Sequence, residues 1–282
     1  MIGGGLKLSG IEVKRRGRTI LNIDNLQIPS GAFVGIIGAN GAGKTTLLKV
    51  CCGLIRPHQG TVKVQDTDLA ELSSWGKCNL RKHIGYIPQA AEYNSELPFT
   101  VREVVAMGRI SAKPLLRRLN EQDHQIVDAW MDKLGLRQLA NQTFRSLSGG
   151  EQQKALVARA MAQEPTVLML DEPCANLDFN WKYQLTQIIE KLYHQTNITI
   201  LMVSHDTSLL PPNCNRIVLL HQGTILADGD FETVLASGSL ETAYDCRIEM
   251  RSIGGRKYVV NKGQTRGPYP APPFDLAQGE EQ

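Results

Sequence analysis

The chain has 282 residues, of which 42% are hydrophobic and 21% are charged, and its formal net charge is +3 at pH 7. This composition is typical of a globular protein with a full core, and no run approaches the roughly 18 apolar residues that a membrane-spanning helix requires. The small charge does not favour nucleic-acid binding, and the amino terminus lacks the basic and apolar regions of a secretion signal. We therefore expect a cytoplasmic protein that needs a partner chain for any work at a membrane.

The first part of the chain carries the pattern of short strands. Apolar and polar residues alternate over 6–26 around an Arg-Gly-Arg turn, which predicts an antiparallel hairpin or meander. Residues 33–37 form a short apolar run that is typical of a buried strand, and helical spacing follows up to Cys52. Further short strands are predicted at 61–64 and 83–87.

A helical pattern then occupies residues 99–140. Thr100 and Glu103 form a capping-box sequence that opens a helix over 101–107, and a longer amphipathic helix begins near Asn120 and ends at Gly135. With the helix that follows Ser148, this block predicts an inserted helical subdomain over about residues 99–163.

Strands and helices alternate again in the rest of the chain, which predicts a mostly parallel sheet with helices on both faces. The predicted elements are a strand at 167–170, a helix at 179–194, a strand at 198–203 and a strand pair at 217–220 and 224–227. Gly, Pro and Gln become frequent beyond Val260, and 267–273 is expected to be disordered. The main domain is thus expected to span 1–253, with 254–282 as a short extension that is mostly a disordered tail.

The segment Gly-Ala-Asn-Gly-Ala-Gly-Lys-Thr at 38–45 lies between the strand predicted at 33–37 and a helix. A strand that turns sharply into a helix directs backbone N–H groups at one point, and glycines let a polyphosphate approach the backbone. Lys44 is expected to contact the β- and γ-phosphates, and the Thr45 hydroxyl is expected to bind Mg²⁺. The pattern predicts an α/β fold with a P-loop NTPase core, and a phosphate site formed by Gly38, Ala39, Asn40, Gly41, Ala42, Gly43, Lys44, Thr45 and Thr46.

Two carboxylates follow the strand predicted at 167–170. Asp171 and Glu172 come at its carboxyl end, where ligands bind in open α/β sheets. Asp171 is expected to hold the Mg²⁺ that Thr45 also contacts, and Glu172 to orient or deprotonate the water that attacks the γ-phosphate. An acidic turn without a ligand is the plain alternative, and the phosphate-binding loop disfavours it.

A second candidate anion site begins at Ser148. The string Leu-Ser-Gly-Gly-Glu at 147–151 precedes a predicted helix, so the Ser148 hydroxyl and the backbone of Gly149 and Gly150 are expected at a helix amino terminus. If this string stood alone, an ordinary serine N-cap with a glycine turn would be the favoured interpretation. One nucleotide does not need two such termini from one chain, so the pair of motifs suggests a site shared between two copies.

Together these motifs resemble the nucleotide-binding subunits of ABC transporters over about residues 6–253. The resemblance implies that 38–45 is the Walker A loop, that Asp171 closes Walker B and that Glu172 is the catalytic carboxylate. It implies that 147–151 is the signature motif, with Glu151 at the place where glutamine is usual.

The same resemblance implies roles for further polar residues. Gln89 matches the glutamine that senses Mg²⁺ and the permease, Asp178 ends the D-loop that crosses to the other protomer, and His205 matches the switch histidine that contacts the γ-phosphate. In the family an aromatic side chain stacks on adenine, and here the register puts Arg15 or Arg16 there. An arginine plane can also stack on a base.

The implied function is Mg-ATP hydrolysis by two paired chains, either a homodimer or a pair with a second ATPase subunit. The expected partners are transmembrane permease subunits, reached by peripheral association with the cytoplasmic side of the inner membrane. Residues 99–109 resemble the ATPases of importers for iron-siderophore, haem, cobalamin and metal ions, whose complexes are expected to include a substrate-binding protein.

Two other classes of protein remain open. A soluble ABC-type ATPase acting on nucleic acid or the ribosome usually has two nucleotide domains or a long coiled coil, whereas this chain has one phosphate loop and no sustained heptads. A single-domain phosphoryl-transfer kinase would share the phosphate loop but has no need of the string at 147–151.

Overall fold

The computed structural model describes residues 5–89, 98–114, 117–253 and 256–264. The strands, in chain order, are β1 (Leu6–Arg15), β2 (Arg18–Ile28), β3 (Phe33–Ile37), β4 (Gln59–Val64), β5 (Thr67–Asp68), β6 (Ile84–Ile87), β7 (Val167–Asp171), β8 (Thr199–Val203), β9 (Arg216–His221), β10 (Thr224–Gly229), β11 (Cys246–Ile253) and β12 (Arg256–Gln264). The α-helices are α1 (Lys44–Cys51), α2 (Ser74–Arg81), α3 (Val101–Ala112), α4 (Glu121–Lys133), α5 (Gly149–Ala162), α6 (Phe179–Gln195), α7 (Phe231–Ala236) and α8 (Ser239–Tyr244).

A six-stranded sheet in the order β10-β9-β3-β8-β7-β6 forms the centre of the molecule, and only the edge strand β10 pairs antiparallel. Every residue of β3, β7 and β8 is buried, as expected for parallel strands covered on both faces. Their carboxyl ends lie at one edge, where the sequence places the phosphate loop, the two carboxylates and the switch histidine. The sheet therefore brings together motifs that are far apart in the chain.

Two hydrophobic cores cover the two faces of this sheet. Because side chains alternate along a strand, Val34 and Ile36 of β3 face one core, while Phe33 and Ile37 face the other. The first core also contains α1 and the antiparallel strands β1, β2 and β4, and the second contains α3 to α8. The predicted fold class, with an antiparallel β subdomain and an inserted helical subdomain, is confirmed.

The helical subdomain is tied together by a buried ionic cluster. Asp123 lies in the first turn of α4 with its side chain buried, accepts hydrogen bonds from Arg109 of α3 and forms an ion pair with Lys113. Burial raises the pKa of Asp123, but the Asn120 backbone N–H, Lys113 and Arg109 together outweigh it and lower the pKa to about 2. Arg109 also donates to the Ala162 carbonyl at the end of α5, so α3, α4 and α5 form one unit.

The carboxyl-terminal extension begins with a strand. Residues 256–264 form β12, which pairs antiparallel with β11, so the boundary expected after 253 falls between the two strands of a hairpin. Backbone pairing and the packing of Val259 against the second core stabilise this strand. The segment 267–273 lies outside the described residues. No helix among the described residues is long and apolar enough to cross a membrane.

Candidate functional site

The loop between β3 and α1 is held in a shape that its glycines permit. Gly38 has a φ of 150°, and a Cβ added there would lie 2.2 Å from the Leu220 carbonyl oxygen. Gly43, with a φ of 99°, is the N-cap of α1, and the first turn of α1 contains no acidic residue. A side chain at Gly38 would therefore push the loop away from the sheet, while the start of α1 stays open to an anion.

The Lys44 side chain is buried inside this loop. Its ammonium donates hydrogen bonds to the carbonyl oxygens of Gly38 at 2.9 Å and Ala39 at 3.1 Å, and it lies 3.9 Å from Glu172 Oε1. Burial lowers the pKa of Lys44, and the negative charges of Glu172 and Asp171 act in the opposite direction. The structure thus holds one cation between the loop and the catalytic carboxylate predicted from the sequence.

Thr45 and Asp171 provide oxygen atoms that suit a magnesium ion. The Thr45 hydroxyl donates to Asp171 Oδ1 at 3.1 Å, and Tyr86 donates to Asp171 Oδ2 at 3.4 Å. The described residues contain no cluster of three or more His, Cys, Asp or Glu that could hold a metal by itself. In nucleotide sites Mg²⁺ takes one or two side-chain oxygens and completes its shell with phosphates and water, so this pair fits it.

Glu172 is the point where the predicted catalytic residues meet. Its carboxylate accepts a hydrogen bond from the Gln89 amide at 3.2 Å, and His205 Nδ1 lies 3.5 Å from the same oxygen. Its backbone is left-handed, with a φ of 48°, immediately after β7. Because a non-glycine residue in this conformation is strained, the surrounding structure must over-determine it, which is common at functional sites.

These groups surround a cavity of about 540 Å³. Its lining contains most of the residues expected to bind nucleotide, and adds Ile20 of β2. The lining residues are Ile20, Asn40, Gly41, Ala42, Gly43, Lys44, Thr45, Thr46, Gln89, Glu172 and His205.

Ile20, and not Arg15, is the residue of the first hairpin that lines this cavity. Arg15 is exposed at the end of β1, beside the turn at Arg16 and Gly17. A Cβ on Gly43 would lie 3.0 Å from the Ile20 carbonyl, so β2 packs directly on the loop. The stacking role predicted for Arg15 therefore lacks geometric support, and an apolar side chain lies at this end of the cavity.

The second group of predicted residues lies at the amino termini of α5 and α6, and none of it belongs to the cavity lining. Ser148 caps α5 in a capping box with Glu151, and Asp178 caps α6 by accepting from the Trp181 N–H at 2.9 Å. A Cβ on Gly150 would lie 2.0 Å from the Trp181 ring, so the two helix starts are in direct contact. The shared site predicted from Ser148, Gly149, Gly150 and Asp178 stays a prediction, because it needs a second chain.

Comparisons with known proteins bear on this arrangement. The sequence profile described as ABC transporter matches residues 21–175, more than half of the chain. A cobalamin import ATP-binding protein of Halobacterium salinarum is 37% identical over 244 residues, which are 86% of this chain and 59% of that protein. A hemin import ATP-binding protein of Photobacterium damsela subsp. piscicida is 34% identical over 260 residues, which are 90% of this chain and 94% of that protein.

A solved structure has the same fold and gives the state of a paired relative. It is a dimeric ATP-binding cassette of an ABC transporter in a post-hydrolysis state with ADP and Pi, 26% identical, with a TM-score of 0.70 over 80% of this chain and 98% of that one. The chain spans 59% of the length of the cobalamin relative and nearly all of the hemin relative. The profile, the relatives and the fold agree with the resemblance seen in the sequence, and the chain belongs to the ABC transporter family.

Proposed function

We propose that this chain binds and hydrolyses Mg-ATP and that hydrolysis powers transport through separate permease subunits. The observation that carries the proposal is the assembly of Lys44, Glu172, Gln89 and His205 around one cavity at the carboxyl edge of a parallel sheet. Family membership supports it, and neither the relatives nor the site favours action on nucleic acid or ribosomes.

Each residue has a chemical task in this proposal. Backbone N–H groups of the loop and the Lys44 ammonium would bind the β- and γ-phosphates, because Lys44 can exchange its two carbonyl partners for phosphate oxygens. Thr45 and Asp171 would hold Mg²⁺, which neutralises developing charge on the phosphates. Glu172 would accept a proton from the attacking water, while Gln89 and His205 fix its carboxylate.

Two copies would complete each site. Ser148 and Asp178 lie outside the cavity lining of their own chain, so they are available to a cavity on a second chain. The relative solved as a dimer supports such a pairing. We propose a homodimer, or a pair with a second ATPase subunit. The pair would close when both chains contact the γ-phosphate and open after hydrolysis.

Hydrolysis itself tests the proposal directly. Purified chain is expected to release inorganic phosphate from ATP in the presence of Mg²⁺ and to stop when EDTA removes the metal, because Thr45 and Asp171 then lack the ion that links them to the phosphates. Phosphate release is measured colorimetrically over an ATP titration. Tight ATP binding without any Mg-dependent release, alone or with its membrane partner, would contradict the assignment.

The permease is proposed to dock in a second cavity, of about 920 Å³, between α2 and the end of α3. Trp75 is 65% exposed there and Ile110 is 56% exposed, and Lys82 and Arg117 border them. An amphipathic cytoplasmic helix with an acidic flank would match this surface by burying the apolar pair and meeting the cations. Gln89, which the family resemblance relates to the permease, is followed by residues 90–97, which lie outside the described residues.

The relatives support this partner assignment, because they are import ATP-binding proteins for cobalamin and hemin. We propose that the chain serves an importer of a comparable cobalamin, haem, iron-siderophore or metal-ion cargo, together with a substrate-binding protein. In that complex the chain would be peripheral, on the cytoplasmic side of the inner membrane.

Replacing Trp75 and Ile110 together by serine is expected to abolish co-purification with a polytopic membrane protein in detergent, because the apolar contact is removed. Basal hydrolysis should stay within about twofold, since neither residue lines the nucleotide cavity. Leu226→Ser, at a partly exposed position on the far edge strand β10, is the matched control and should keep the complex. Retention of the membrane protein by the double variant, or recovery of ribosomes or DNA instead, would refute the docking surface.

A further inference from the structure

Glu151, at the end of the string 147–151, accepts the hydroxyl proton of Ser148. The Ser148 hydroxyl donates to Glu151 Oε2 at 2.7 Å, and the Ser148 N–H donates to the same oxygen at 2.9 Å. The Glu151 N–H in turn donates to Ser148 Oγ at 3.4 Å. One carboxylate oxygen therefore accepts both of the hydrogen bonds that Ser148 can donate, from its hydroxyl and from its backbone N–H.

This contact competes with the task that the proposed function gives to Ser148. A serine hydroxyl has a single proton to donate, and a hydrogen bond to a carboxylate is stronger than a hydrogen bond to a neutral acceptor. In a closed dimer that proton would have to turn to a γ-phosphate oxygen held by the other chain. The Ser148 proton then has two anionic acceptors, Glu151 of its own chain and a γ-phosphate oxygen held by the other chain.

In a closed dimer the negative charge of Glu151 would stay close to the phosphate that Ser148 contacts. Ser148 is exposed and Glu151 is half-buried beside it. Among the described residues no ion pair compensates Glu151, and the neighbouring Lys154 lies over the Trp181 ring at 4.5 Å from its centroid. A carboxylate facing a triphosphate across a dimer seam is a like-charge contact, which opposes closure.

We infer that Glu151 is a positioning residue that restrains Ser148 in the open chain and raises the ATP concentration needed for the dimer to close. This inference rests on the proposed function. Glutamine at the same position would keep the capping box, because its side-chain oxygen still accepts from Ser148, while the negative charge would be absent. The effect assigned to Glu151 is thus one of charge and not of helix capping.

The experiment compares ATP-driven dimerisation in chains that cannot turn over. In the Glu172→Gln background, Glu151→Gln is expected to lower the ATP concentration for half-maximal dimer by roughly tenfold at low salt, since like charges across an interface are strongly unfavourable. The dimer fraction is measured by sedimentation velocity with Mg-ATP. The gap should shrink as salt rises from about 0.05 to 0.5 M, because exposed charges are screened.

Two further variants separate charge from structure. Glu151→Asp keeps the charge and should need as much ATP as the parent, whereas Glu121→Gln removes an exposed charge in the first turn of α4 and should change nothing. Equal ATP requirements for Glu151→Gln and its parent, or equal shifts for the Asp and Gln variants, overturn the inference. A parent that stays monomeric at saturating ATP overturns the shared-site proposal itself, and with it the role of Glu151.

Discussion

Replacing Glu172 by glutamine is expected to reduce ATP turnover by about 100- to 10,000-fold, the range that a positioned general base contributes. ATP binding should persist or tighten, because the amide keeps the shape of the carboxylate while the negative charge 3.9 Å from the Lys44 ammonium disappears. The ammonium is then free to face the phosphates, and the paired chains should stay closed. Phosphate release and sedimentation with Mg-ATP measure the two effects on the same preparation.

The control for this prediction is Glu190→Gln, a matched change on α6 outside the cavity lining, which should keep the parent turnover. Glutamine adopts the left-handed backbone of Glu172 no worse than glutamate does, so the thermal midpoint should hardly move. Turnover within a few-fold of the parent would show that another group deprotonates the water. Loss of turnover without any ATP-dependent dimer would instead support the catalytic role of Glu172 and contradict the site shared between two chains.

Much of the fold could be predicted because its central elements are encoded locally. The short apolar runs that became β3, β7 and β8 are continuous and buried on both faces, so their sequence differs clearly from that of an exposed strand. The capping box of α3 is also local, although the helix extends to Ala112 and past its predicted end at 107. There α3 packs so closely on α5 that a Cβ on Gly108 would lie 2.0 Å from the Arg159 carbonyl, so tertiary contact sets the length of the helix.

The sequence did not reveal the helix α2 or the strand β12. The helix α2 has only eight residues and none of them is buried, so its sequence contains no run of buried apolar residues to mark it. The strand β12 has only a short stretch of β-forming residues and is defined by its pairing with β11. For β12 this pairing lies within a hairpin, and the packing of Val259 against the second core adds to it, so the strand depends on its partners more than on its own β propensity.

The residues of the candidate site also fall into those that the sequence predicts and those that only the folded structure reveals. Lys44, Asp171 and Glu172 lie in motifs whose spacing predicts their chemistry, so the sequence alone places them in the candidate site, and the structure brings them close together. Ile20 and Trp181 could not be predicted in this way, because each contributes through a contact with a glycine in another segment. Ile20 contacts Gly43, and Trp181 contacts Gly150. Nothing in the sequence around either residue marks it, and only the packing of the folded chain does.

Replacing Lys44 by alanine is expected to weaken ATP binding by roughly 2 to 5 kcal/mol, or about 30- to 4,000-fold, the cost of truncating one partner of a buried charge pair. The lining of the described cavity contains one lysine, Lys44, and no arginine, and His205 carries a charge only when it is protonated. No neighbour can therefore replace the positive charge of Lys44. Fluorescence titration with a labelled ATP analogue and Mg²⁺ measures the dissociation constant.

Three further variants make the result specific to Lys44. Lys191→Ala, at an exposed position of α6, should bind ATP as the parent does. Lys44→Met keeps most of the buried volume and should fail like alanine, which separates charge from packing. Lys44→Arg should also bind poorly, because a planar guanidinium cannot occupy the space of an ammonium that contacts two loop carbonyls at 2.9 and 3.1 Å. An unchanged dissociation constant in the alanine and methionine variants would mean that the loop at 38–45 does not bind the phosphates, because its one buried ammonium would then be irrelevant to the ligand.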